Sequence, residues 1–207
     1  MPLEKIHHEH DQTWALWRLD EDEDTLAKML DNAEQVSAGI TNPHKRLEYL
    51  GGRLLVKVVM NSIGLVYEGI HKDQYGKPFP AGCAYQLSLT HSYPYVAVLL
   101  DQHKAAGIDL EQPKAKLLKV APRVLNRDEL IDAGQDIVKH CIYWSAKEAL
   151  VKIYGRKDLI LAENLLIDSF LRQEKGDIIG RIIVRGEETT VPLRYIVSSD
   201  FVLVYSK

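Results

Sequence analysis

The last quarter of the chain constrains the fold most. From Asn164 onward the sequence reads as four short strand-like runs, NLLIDSFL, DIIGRIIV, TTVPLRYIV and FVLVYS. Glycine and charge clusters separate them, as in an antiparallel meander. Just before them stands the strongest helix signal, DIVKHCIYWSAKEALVKIYG (136–155), which ends on a glycine stop. With Ile142 at the centre of its apolar face, Ala146, Ala149, Leu150 and Ile153 fall on the same side. Trp144, Lys147, Glu148 and Lys152 fall on the other. A helix of this kind beside a meander predicts an α+β unit, with the helix packed on an antiparallel sheet.

The first half repeats the theme. TWALWRL (13–19) alternates like a strand, and the acidic run DEDED (20–24) precedes a helix, where negative charge opposes the positive end of the macrodipole. NPHKRLEYLGGRLLVKVVMNSIG (42–64) predicts a helix with an apolar stripe of Leu47, Leu50, Leu54 and Val58, and Arg46 and Arg53 share one face of it. YQLSLTHS (85–92) and YPYVAVLL (93–100) read as strands. DQHK then turns the chain, so that AAGIDLE (105–111) is expected to pair with the strand before it. Residues 114–132 read as helical in pieces. HSYPYVAVLL (91–100) and VSSDFVLVYS (197–206) echo one another half a chain apart, as two similar lobes would produce. The expected boundary gives lobes 1–104 and 105–207.

Composition narrows the class of function. The 207-residue chain has a net charge of −3, so no global basic excess points to nucleic acid or to an anionic membrane. Cys83 and Cys141 stand alone, which predicts free thiols and a reducing, cytoplasmic compartment. The polar N-terminus, MPLEKIHHEHDQ, has no apolar core of a signal peptide, and no run reaches membrane-spanning length. HHEH (7–10) has donors for a transition metal, but the expectation is an unordered tail.

The chemistry lies in GIDLE (107–111). Side chains alternate along a strand, so Asp109 and Glu111 point one way, about 6–7 Å apart. Two such carboxylates repel unless a cation or a proton sits between them, or unless they lie on the solvated face of an edge strand. A third acid from a facing helix shifts the balance toward a metal, because three carboxylates with water and phosphate oxygens suit octahedral Mg²⁺. Glu148 is the helix candidate. On residues alone, Glu148 and Lys152 are also an ordinary i,i+4 surface pair.

GIDLE, followed some thirty residues later by WSAKEALVK, resembles the paired signature of the 4′-phosphopantetheinyl transferases of the larger, single-chain type. Its pattern GxDxE…WxxKExxxK is met by Gly107, Asp109, Glu111, Trp144, Lys147, Glu148 and Lys152. GRL (52–54), GKP (76–78) and LSLTHS (87–92) resemble further family segments in the same order, with Ser88 and Thr90 departing from the usual residues. The resemblance implies two similar lobes about a pseudo-twofold axis, with the coenzyme in the cleft between them. It implies a cytoplasmic, monomeric holo-[acyl-carrier-protein] synthase that uses Mg²⁺, or Mn²⁺, and coenzyme A. Such an enzyme modifies a serine of an apo acyl or peptidyl carrier protein and engages neither nucleic acid nor membrane. Asp109, Glu111 and Glu148 are then the expected metal ligands. Glu148, Lys152 and, as a second base, Glu129 are the expected catalytic groups. Arg46, Arg53, Lys77, Thr90, His91, Ser92, Lys147 and Lys152 are expected to bind the coenzyme, with Lys45 nearly even with Arg46. A non-catalytic coenzyme-binding module and a metal-dependent phosphohydrolase are the alternatives.

Overall fold

The alternating run at residues 12–18 forms the centre of a four-stranded antiparallel sheet in the computed structural model, which describes residues 3–30, 34–156 and 158–207. The chain divides into two compact units, Met1–Ala106 and Gly107–Lys207. Each has its own apolar core. The fold is α+β with antiparallel sheets.

In the first unit the sheet order is β1 (Leu3–Glu9), β2 (Gln12–Arg18), β6 (Tyr95–Asp101), β5 (Gln86–Ser92). A short helix, α1 (Glu23–Met29), follows the acidic run and is capped by the Asp22 side chain, which accepts from the Thr25 N–H. The long helix α2 (Pro43–Ser62) starts where Asn42 accepts from the Lys45 N–H and Pro43 pre-sets the first turn. It buries Leu50, Leu54, Leu55, Val56, Val59 and Met60 in the core that also takes Leu87, Val96 and Val98 from the sheet. A two-stranded ribbon, β3 (Ile70–Lys72) and β4 (Pro78–Pro80), completes the unit.

The HHEH segment is not an unordered tail. His7, His8 and Glu9 belong to β1, and His10 sits in the turn to β2 with a φ of 51°. Pairing with β2 orders the segment: His8 lies opposite Thr13, and its Nδ1 is 3.0 Å from the threonine hydroxyl.

The second unit opens on β7 (Ile108–Glu111), followed by α3 (Lys116–Val120), a 3₁₀ turn and α4 (Arg127–Ala133). Next come α5 (Ile137–Tyr154), the one-turn α6 (Leu161–Asn164) and β8 (Leu165–Ile167). β9 (Lys175–Val184), β10 (Glu187–Val197) and β11 (Val202–Ser206) complete the meander. Asp136 caps α5 by accepting from the Val138 and Lys139 N–H groups, and Gly155, in the left-handed region, ends it. The sheet order is β7-β11-β10-β9-β8, antiparallel throughout.

One expected pairing is corrected. β7 does not pair with β6, because both edges of β6 are already taken by β2 and β5. It pairs with β11 instead, with Asp109 opposite Val204 and Glu111 opposite Val202.

Candidate active site

Glycine at position 107 sets the geometry of the second unit's acidic cluster. A Cβ there would lie 2.3 Å from the Ala149 carbonyl oxygen and 2.6 Å from Cγ1 of Ile153. Only a residue without a side chain lets the middle of α5 come this close to β7. That approach carries Lys152 onto the strand. Its Nζ donates to the Ile108 carbonyl at 2.7 Å and to Asp109 Oδ1 at 2.8 Å. Asp109 is buried, whereas Glu111, Glu148 and Lys152 are each half-buried.

The three carboxylates sense one another. Burial, then the charge of Asp109 and that of Glu111, hold the Glu148 carboxyl above the ordinary glutamate range, against the pull of Lys152. The Cys141 thiol, on the same helix, is pushed up by burial and then by Glu111 and Asp109. Among the described residues no three Asp, Glu, His or Cys side chains already converge on one point as metal ligands do. The donor chemistry nevertheless fits a hard divalent cation: three carboxylates, all-oxygen, whose charges repel one another.

Two expected functional residues are core structure instead. Lys147 has no exposed side chain, and its Nζ is 2.6 Å from Glu129 Oε2 while donating to the carbonyls of Val124 (2.9 Å) and Leu161 (3.0 Å). Burial lowers its pKa, opposed by Glu129. Glu129 accepts from the N–H groups of Asn126 and Ile167 and completes a capping box at the start of α4. With every donor of Lys147 engaged inside the core, the pair ties α4, α5 and β8 together. Trp144, expected on a face that meets something, packs half-buried against the same core.

The first unit holds a cavity of about 630 Å³ between α2, β3 and β5. Lys45, Glu48, Arg53, Lys72 and His91 supply its charges, and Tyr49 its aromatic surface. Arg53 is fixed by Glu34 at 2.9 Å and lies 3.5 Å from the centroid of the Tyr49 ring. At the start of α2, Lys45 lines the cavity. Arg46 turns to α1, where Nε and Nη2 donate to the two Glu23 oxygens at 2.7 and 2.6 Å. Gly76 and Pro78 line the cavity, whereas Lys77, Thr90 and Ser92 do not. Thr90 is buried in β5, and burial lowers the Lys77 pKa.

Residues 105–203 match the family model described as the 4′-phosphopantetheinyl transferase superfamily. No curated protein sequence matches the chain. Among the described residues no helix is long and apolar enough to cross a membrane.

This match supports a role in phosphopantetheinyl transfer. The matched segment carries the acids and Lys152, whereas the cation-lined cavity belongs to residues outside it. Sequence reasoning missed Glu48, Tyr49 and Lys72. Glu48 stands three residues after Lys45 and reads as an exposed i,i+3 partner, yet it is buried. Lys72 sits on a strand of only three residues, too short for its period to show.

Proposed function

We propose that the protein transfers the 4′-phosphopantetheine arm of coenzyme A to a serine hydroxyl of an apo acyl or peptidyl carrier protein. The reaction is Mg²⁺-dependent and releases adenosine 3′,5′-bisphosphate. The observation that carries this reading is the coupling of Glu148 to Asp109 and Glu111, with Lys152 seated on Asp109, inside the segment that matches that superfamily. Asp109, Glu111 and Glu148 are the residues that would hold the cation, which when bound supplies charge neutralisation at a diphosphate.

The chain's own groups account for the remaining chemistry. Glu148 is the first candidate to take the serine proton. The serine oxygen then forms a bond to the β-phosphorus of the coenzyme while the bond to the bridging oxygen breaks. The electron pair leaves with the adenosine bisphosphate. Lys152, held beside the acids by the Ile108 carbonyl, neutralises the charge that develops on that leaving oxygen. Catalysis of this kind is mostly positioning and electrostatics. In the first unit, Lys45, Arg53, Lys72 and His91 give the cavity the cations to hold a phosphate of the coenzyme.

The test is intact-mass spectrometry of an apo carrier protein incubated with this protein, coenzyme A and Mg²⁺. Transfer adds about 340 Da, the phosphopantetheine group moved in the phosphoryl transfer. Coenzyme binding without labelling would identify a binding module. Free phosphopantetheine without labelling would identify a hydrolase.

A further inference from the structure

Helix α2 carries two arginines, Arg46 and Arg53, and the protein uses them in opposite ways. Arg46 is saturated. Its Nε and Nη2 both donate to Glu23, and its Nη1 donates to the Ile40 carbonyl at 3.0 Å. Arg53 is held from more sides but keeps a donor. Its Nε donates to Glu34 Oε2 at 2.9 Å, and its Nη1 makes a long 3.4 Å contact to the Tyr49 carbonyl. Its guanidinium carbon lies 3.5 Å from the centroid of the Tyr49 ring, one turn earlier on α2. Among the described residues nothing accepts from Arg53 Nη2. The difference lies in the second oxygen of each carboxylate. Glu23 gives both oxygens to Arg46, whereas Glu34 Oε1 is taken by the Tyr67 hydroxyl at 2.6 Å. Burial, then this hydrogen bond, push the Tyr67 hydroxyl above the ordinary tyrosine range, so it remains a donor. Arg53 lines the cavity, whereas Arg46, Glu34 and Tyr67 do not.

We propose that Glu34 and Tyr67 are the positioning residues of this cavity, fixing the plane of Arg53 while sparing its Nη2 for a phosphate of the ligand. A guanidinium presents five N–H donors in a rigid planar fork, and a carboxylate with two free oxygens takes two of them at once. Tyr67 prevents that by occupying one oxygen, so Glu34 grips Arg53 at Nε alone. The ring of Tyr49 then sets the plane from one face. A long side chain held in this way has few rotamers left to lose when an anion arrives, which is the advantage of preorganisation. Glu34 and Tyr67 touch no ligand in this scheme and act through Arg53. The three residues come from the segment before α2, from its middle and from the segment between α2 and β3, so the device is built by the fold of the first unit.

The inference deepens the proposed function and rests on the cavity taking a phosphate of coenzyme A. A count of charges makes the opposite prediction: removing the Glu34 carboxylate beside an anion site should strengthen binding. The test is calorimetric titration of coenzyme A into the wild type, Glu34→Gln, Tyr67→Phe, Arg53→Gln and the two double variants with Arg53→Gln, with thermal melts as folding controls. Positioning predicts that Glu34→Gln weakens binding about tenfold, the scale of orienting partners at metal sites. Tyr67→Phe changes no charge, yet it frees Oε1 to compete for Nη2 and should weaken binding about threefold, the scale of one hydrogen bond. Both losses should fall below about twofold once Arg53 is Gln, since coupled residues are not additive. Binding by Glu34→Gln as tight as wild type, or tighter, overturns the proposal. Losses of equal size in the Arg53→Gln background also overturn it, because they would make the trio a structural tie. Should Glu34→Gln fail to fold, Tyr67→Phe, which keeps the ion pair, decides by the same comparison. The titration needs no carrier protein, so a protein that binds coenzyme A without transferring its arm still decides the inference. Wild-type protein that binds no coenzyme A overturns the reading of the cavity itself, and this inference with it.

Discussion

The two units use the same strand scheme and fill it differently. In each, the strand that precedes the long helix pairs with the unit's last strand, which pairs on its other side with the strand just before it. These sets are β2-β6-β5 and β7-β11-β10. The echo between HSYPYVAVLL and VSSDFVLVYS falls on β6 and β11, so Val96 corresponds to Val202 and Val98 to Val204. Val202 and Val204 face Glu111 and Asp109 across the ladder, whereas Val96 and Val98 face Trp17 and Ala15. The positions that are acidic in the second unit are thus fully buried core residues in the first. The glycines are exchanged too. The second unit places Gly107 at the entry to the strand, against helix backbone, while the first places Gly51 and Gly52 on the helix, against the side chains of Leu19 and Leu89. A strand glycine brings a helix's polar groups down onto the sheet, as Lys152 and Glu148 are here. Helix glycines let apolar side chains close the gap.

Four experiments would break or sharpen this comparison. The largest effect is expected at Glu148. Glu148→Gln keeps the shape and removes the third carboxylate, and transfer should fall by about a hundredfold or more, comparable to the loss of one electrostatic stabiliser in other enzymes. Much of the coenzyme affinity should remain, measured by calorimetry. Transfer at the wild-type rate would mean that the acids of the second unit are not the catalytic half. Next comes Ala15→Asp, which writes the second unit's Asp109 into the first. Ala15 is fully buried, so the new charge should cost about 3–5 kcal/mol in denaturant unfolding. A wild-type unfolding midpoint would show that the two strands are not equivalent.

The glycines give the third test. Gly107→Ala must push α5 off the strand because the obstructing atom is a backbone oxygen, and overpacking of this kind costs about 1–3 kcal/mol. Gly51→Ala meets only the end of a leucine side chain, Cδ2 of Leu19 at 2.3 Å, and gains about 1 kcal/mol of helix propensity. Thermal melts should therefore rank Gly107→Ala clearly below Gly51→Ala. Equal losses would remove the distinction between a backbone and a side-chain contact.

How much of this was legible from sequence depends on how local the signal is. β2, α2, α5 and the meander follow from periodicity and capping residues within each segment. The partner of β7 does not, because β11 lies at the other end of the unit and nothing in GIDLE names it. The role of Lys147 was hidden for a related reason. Helical spacing puts it opposite the apolar face, but α5 is buried on that side as well, and the only way to bury a lysine there was to pair it with Glu129. Arg46 and Lys45 differ by one helical step, about 100° of rotation, and the stripe alone did not fix the angle finely enough. The acids of the candidate site were legible because strand alternation and the spacing on α5 are both local rules.

The smallest effect separates the two units at the ends of their last strands. Asp101 closes β6 and is buried, accepting from the backbone N–H groups of His103 at 2.8 Å and Lys104 at 2.6 Å and from Gln12. After β11 the work is done at the surface, where Asp177 accepts from Arg194 at 2.7 Å and from Lys207 at 2.9 Å. Asp101→Asn should cost about 1–3 kcal/mol, because a buried acceptor that serves two backbone donors is replaced by a weaker one. Asp177→Asn should cost less than about 1 kcal/mol, since its side chain is half exposed and its ion pairs are screened by water and salt. The hydrogen bonds from Arg194, then those from Lys207, hold the Asp177 carboxyl down at about 2. A lowered carboxylate pKa contributes stability above the unfolded value and loses it as pH falls through the folded one. The melting difference between wild type and Asp177→Asn should therefore be present at pH 7, shrink from about pH 4 and vanish near pH 2. A difference that persisted at pH 2 would mean that Asp177 acts through packing. The contrast between a buried acid in one unit and a surface ion pair in the other would then be lost.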